Sequence, residues 1–141
     1  MITPTRESLV EKPAGKKRIL IPGGGFAGAS TARHLEKELA RAPQVEIVVI
    51  ARENFVLFTP TLHEVAGSDV AVTHIVQPLC KMLRRTRAGI AEVEAIDLVK
   101  QQVRIRHDAF PNPFEIPYAA RAGTRRGDEF VSHAGVLKSK R

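Results

Sequence analysis

The sequence predicts an α/β fold in which a parallel sheet is flanked by helices, and three features near its start carry that prediction. An apolar run from Ile19 to Ile21 leads into the glycines Gly23, Gly25 and Gly28. After them Ala32, Leu35 and Leu39 recur at helical spacing, with Arg33, Lys37 and Arg41 elsewhere on the same helix, and Pro43 marks its stop. VEIVVIA, from Val45 to Ala51, is then nearly continuously apolar, as in a parallel strand covered on both faces.

Together these segments make a strand, a glycine turn, a helix and a second strand. A glycine pattern alone is a weak signal, and a ligand-free hairpin or flexible turn is the plain alternative. The flanking strand and helix supply the context that dinucleotide binding requires. Gly23 permits the tight turn, Gly25 leaves room for a pyrophosphate, and Gly28 lets the helix pack on the strand. Phosphates then sit at the helix N-terminus, where unpaired backbone N–H groups and the positive dipole end attract anions. Pro22 removes one ladder donor, which is tolerable at a strand terminus.

The segment RENFVLFTPTLHEVAGSD, residues 52–69, is broken by Pro60 and closed by Gly67, and is too long for a simple turn. Long loops after strands of such sheets are where ligand chemistry is placed. THIVQPLCKMLRR reads as a helix over about 75–86, interrupted early by Pro78, with Cys80 packed as a small hydrophobe beside Ile75, Val76 and Leu79. Arg84, Arg85 and Arg87 form a cationic cap at its end. GIAEVEAIDL and QQVRIRH read as two short strands joined by a polar turn from Asp97 to Gln102. The fold class is therefore a Rossmann-like parallel sheet with flanking helices plus a small β-hairpin or meander. It is incomplete, because after PNPFEIPY the chain gives Ala, Arg and Gly where an apolar strand is wanted. Residues 1–16 are expected as a mobile leader, 17–118 as a partial nucleotide-binding domain and 119–141 as a basic, disordered tail.

At 141 residues and 43% hydrophobic content the chain is one domain with a real core. Its net charge of +7 lies wholly in the two ends, since residues 19–120 carry eleven charges of each sign. With few aromatics and no stacking platform, no nucleic-acid binding is expected. A single cysteine excludes an internal disulfide and a dithiol redox pair. The five histidines show no metal-ligand spacing, and no catalytic residue or metal site is assigned. There is neither an apolar run of membrane-spanning length nor a signal peptide, so a cytoplasmic protein is expected.

The glycine turn, the stretch at 52–67, the segment near 75–86 and EVEAIDLVKQQVRI at 92–105 together resemble the N-terminal FAD-binding part of type II NADH dehydrogenases, flavoproteins with two dinucleotide domains. The likeness covers roughly residues 17–118, and NF-x-LFTP-x-LHEVA is its most particular motif. The resemblance implies FAD as cofactor, with its pyrophosphate over Gly23, Gly24, Gly25, Phe26, Ala27 and Gly28 and its adenosine near Ala51 and Arg52. It places the adenine against the backbone near Val93 and the flavin beside Thr59 and Pro60. Full-length relatives take hydride from NADH and pass electrons to a membrane quinone, at the inner face of the membrane.

Two departures bear on this. Ala51 stands where the superfamily puts a ribose-binding acid, with Glu53 as the nearest substitute. The strand expected directly after Tyr118 is also missing, so a truncated piece of an oxidoreductase, inactive alone, is expected. Its uncovered sheet edge invites self-association. Two other readings stay open: a stand-alone NAD- or nucleotide-binding module without redox turnover, and a basic accessory protein whose tails contact anions.

Overall fold

In the computed structural model two β-branched segments, Lys17–Pro22 (β1) and Val45–Ala51 (β2), lie side by side in parallel, Lys17 opposite Val45 and Pro22 opposite Ile50. The structure describes residues 10, 15–39, 41–68, 71–121, 130–133 and 136–139. Between β1 and β2 runs the helix Phe26–Glu38 (α1), which buries Gly28, Ala29 and Ala32. Those small residues let it lie close on the sheet, and it ends before Pro43. Pro22 is the last residue of β1, where its missing N–H disturbs the ladder least.

Short elements follow: Phe55–Leu57 (β3), a 3-10 turn at Thr59–Thr61, Leu62–Ala66 (α2), Val72–Ile75 (α3), Val76–Pro78 (β4) and Leu79–Met82 (α4). The helix expected near 75–86 is thus replaced by a strand and one helical turn. The cause is Pro78, which biases the residue before it toward extended backbone, so Val76 to Pro78 pairs antiparallel with Phe55 to Leu57 instead. Cys80 is exposed rather than packed, because that single turn directs Leu79 inward in its place.

The chain returns to the sheet with Arg87–Ile90 (β5), then enters a meander of Glu92–Asp97 (β6), Gln102–Arg106 (β7) and Phe114–Pro117 (β8). GIAEVEAIDL therefore supplies strands to two sheets, with Ala91 at the crossing. The turn after β6 is held by Asp97, whose Oδ1 accepts from the N–H groups of Val99 and Lys100 at 2.9 Å, and it closes with Gln101 at φ 52°. Beyond Tyr118, Ala120–Arg121 (β9) pairs in parallel with Ile19 and Leu20, giving the sheet order β5-β2-β1-β9. Phe130–His133 (β10) and Val136–Ser139 (β11) form a hairpin, and β11 pairs with β6. Strand pairing therefore reaches into the segment read as a disordered tail, although residues 122–129, 134–135 and 140–141, and most of the segment read as a mobile leader, lie outside the described residues.

Alternation along the parallel strands builds two cores. Leu20, Val48 and Ile50 face the meander and meet Ile96, Val103, Ile105 and Ile116. Ile21, Ile47, Val49 and Ala51 face the other way, toward Ala29, Ala32, Val56 and Leu79. At the N-terminal edge of the sheet, Arg18 and Arg87 both donate to the Glu46 carboxylate at 2.7 Å. The fold is an α/β parallel sheet with helices on one face and an antiparallel layer on the other.

Candidate functional site

At the opposite, C-terminal edge of the sheet, the chain leaves β1 through Gly23, whose N–H donates to the Ile50 carbonyl at 2.8 Å and whose φ is 119°. Only glycine adopts that φ without strain, so the turn is fixed by composition. Gly28 is set by contact: a Cβ there would run into the Gly23 carbonyl, and its absence lets α1 start directly against the turn. A Cβ on Gly24 would collide with that of Ala51 and reach Leu79 Cδ1 at 3.0 Å. Gly25 differs from both, since a Cβ there would meet nothing within 4 Å.

Gly25 is the N-cap of α1 and no side chain caps it. The first turn holds no acidic residue. The positive dipole end of α1 is therefore offset by neither a side-chain cap nor an acidic residue, and the space beside Gly25 is open, the sign and access that favour a phosphate.

Four segments converge here. The end of β2 touches the glycine turn through Ala51 and Gly24, and Arg52 follows it as an exposed residue. Phe26 meets Phe58 in a tilted contact with ring centroids 5.7 Å apart, which ties the residue before the 3-10 turn Thr59–Thr61 to the head of α1. The loop is anchored from behind, where the Phe58 N–H donates to the Ile75 carbonyl at 2.8 Å and that of Leu79 to the Asn54 carbonyl at 3.0 Å. The Ala91 N–H donates to the Ala51 carbonyl at 2.8 Å, which sets Ala91 beside the end of β2, two residues along the chain before Val93. Val93 also stands at a bulge, where Val93 pairs with Ile105 but Ala95 with Arg104. Bulges re-aim backbone and side chains at the rim of a sheet.

The glycine turn and Ala51 thus lie against one another with Arg52 next in the chain, Thr59 and Pro60 are linked to them only by way of Phe58, and Val93 only by way of Ala91, with its side chain packed on the meander core. Phe58 belongs to the NF-x-LFTP motif, whereas Leu79, which also supports the site, carries no signal in the sequence beyond apolarity. Phe26 is 62% exposed, unusual for a phenylalanine at the head of a helix. Glu53 is exposed in the bend after β2. Among the described residues no group of histidine, cysteine or acidic side chains is arranged to hold a metal. Nor is any helix among them long and apolar enough to cross a membrane.

No protein-family model matches the chain. In sequence it is 32% identical, over 148 aligned positions, to the type II NADH:quinone oxidoreductase Ndh of Mycobacterium tuberculosis, covering 98% of this chain and 30% of that protein. It is 29% identical over 86 residues to the mitochondrial external alternative NAD(P)H-ubiquinone oxidoreductase B4 of Arabidopsis thaliana, covering 61% of this chain and 14% of that one. Among solved structures, NDH2 from Plasmodium falciparum in complex with NADH superposes with a TM-score of 0.67 at 16% identity, over 77% of this chain and 22% of that one. At that identity the superposition shows a shared fold. The chain spans less than a third of the length of each of these relatives.

Proposed function

The chain belongs to the type II NADH:quinone oxidoreductases, of whose length it spans a part, and we propose that it forms their FAD-binding portion. The observation that carries this reading is the contrast among the glycines. Gly24 and Gly28 are filled against by the protein itself, whereas Gly25 opens onto space at an uncapped helix N-terminus. Structure alone demands the first kind, while the second leaves the backbone bare for a ligand to approach.

In this reading the backbone from Gly23 to Gly28 holds the pyrophosphate by N–H donation, with Phe26 and Ala27 in the first turn of α1. Ala51, Arg52 and the backbone at Val93 border the adenosine, while Thr59 and Pro60 border the flavin. FAD bound here would supply an acceptor for hydride from NADH. The protein's own part is to bind and orient it, and to shield it with the Phe26 and Phe58 rings. The quinone, the membrane surface and turnover belong to the whole enzyme. This chain alone is expected to bind without reacting.

The test is to saturate the purified chain with FAD, desalt it, and read flavin absorbance against protein. Stoichiometric yellow colour that disappears in Gly25→Val supports the proposal. Retention of NAD and not FAD would favour the stand-alone nucleotide module, and retention of neither would sink both.

A further inference from the structure

Away from the glycine turn, a cleft of about 830 Å³ opens between the outer face of α1 and the segment from α3 to the loop after α4. Its walls carry Arg33 and Lys37 from α1 on one side, and Lys81, Arg84 and Arg85 on the other. Residues 19–120 hold eleven basic and eleven acidic residues, yet five of those eleven cations surround this one cleft.

Among the described residues a single carboxylate, that of Glu36, shares the cleft, and it is already engaged. It accepts the backbone N–H groups of Arg84 at 3.3 Å, Arg85 at 2.7 Å and Thr86 at 2.6 Å, which fixes the loop that presents the two arginines. Arg33, Lys37, Lys81 and Arg84 are exposed and make no ion pair among the described residues. Gathering like charges costs energy, and a concave wall of one sign focuses the field into the space it encloses. Val76, Pro78 and Met82 line the same cleft and are half-buried, so it offers apolar contact between two cationic walls.

We propose that this cleft is a docking site for an acidic segment of a partner polypeptide, with carboxylates on the two walls and apolar side chains on Val76, Pro78 and Met82. A bilayer surface is read by cations on a projecting face, and a bare phosphate has no use for apolar lining. An acidic peptide with interspersed aliphatic residues matches both features. The site is separate from the glycine turn and does not depend on what binds there.

The probe is a short fluorescein-labelled peptide of alternating Glu and Leu, titrated into the full chain and followed by anisotropy, with a Gln-Leu peptide, inorganic tripolyphosphate and anionic lipid vesicles as comparisons. The Glu-Leu peptide is expected to bind, and more weakly as salt rises. Arg33→Gln with Lys37→Gln, and separately Lys81→Gln with Arg84→Gln, should each weaken binding by about tenfold. Removing the same charge elsewhere, by Arg41→Gln with Lys100→Gln, should change it by less than about twofold. Equal losses in all three double variants would reduce the effect to net charge and overturn the site. Tight binding of the Gln-Leu peptide, or tripolyphosphate or vesicles outcompeting the Glu-Leu peptide, would overturn its assignment to an acidic polypeptide.

Discussion

Gly25 and Gly28 lie three residues apart in one turn, and their substitution is expected to fail in opposite ways. Gly25→Val places its side chain in open space and at a φ of −69° that any residue adopts, so the fold should keep its helix content, with stability lowered only by the poorer N-cap. The same side chain occupies the phosphate cradle, so FAD binding followed by flavin fluorescence should be lost. Gly28→Ala instead drives a methyl group into the Gly23 carbonyl, and rigid backbone cannot turn aside. We expect a loss of about 1–3 kcal/mol in urea unfolding, the usual cost of overpacking. An unchanged stability in Gly28→Ala would mean that α1 can slide away from the turn. Ala51 offers a third probe. It is 7% exposed and sits against Gly24, so Ala51→Glu adds a carboxylate where the ribose hydroxyls are expected. Binding should tighten by about 1 kcal/mol, one net hydrogen bond. No change in the titration would shift the ribose contact to Glu53 or elsewhere.

At the scale of elements, α1 is fastened to the sheet not only by its small residues but also by Glu36, which accepts three backbone N–H groups from the loop leading to β5. Burial works to raise the carboxyl pKa, but the Arg85 N–H, the Thr86 side chain and the N–H groups of Thr86 and Arg84 together outweigh it and hold the pKa below its ordinary 4.5. A carboxyl lowered on folding contributes stability that is full above its unfolded pKa and is lost as pH falls through the folded one. Glu36→Gln should therefore be less stable than the parent at neutral pH, by about 1 kcal/mol given the partial exposure of the group. The difference should vanish in acid, below the folded pKa. Urea melts at both pH values check it, and a difference that persists in acid would show that the charge is not what holds the loop.

Elements differ in how far their residues announce them. The glycine turn and α1 are local: spacing, small residues and the flanking β-branched runs all lie within one stretch of chain. The segment from Ile75 to Met82 is not, because a helical apolar spacing competes there with the extended backbone that Pro78 imposes, and pairing with β3 decides the outcome. β9 depends entirely on the free side of β1, so Ala120 and Arg121 carry no strand signal of their own. The Arg18 and Glu46 pair is likewise hidden, since only the register of β1 on β2 sets those two side chains opposite one another. For the site, the residues of the turn were readable from spacing, whereas the Phe26 and Phe58 contact that gathers Thr59 and Pro60 arises from tertiary packing.

For the molecule as a whole, the arrangement is one parallel sheet with a single glycine turn of dinucleotide type at its C-terminal edge, covered behind by the meander. Hydride transfer between two dinucleotides needs both held at once, with nicotinamide against flavin in a near-attack geometry worth many orders of magnitude in rate. Among the described residues there is one such glycine turn, not two. We therefore expect that the purified chain, loaded with FAD, will oxidise NADH no faster than free FAD does, whether quinone or a dye is the acceptor. The measurement is NADH absorbance against time, with Gly25→Val as the unloaded control. A steady rate well above that of free FAD, absent in Gly25→Val, would show that the single cradle and its aromatic rim suffice to bring the two ligands together.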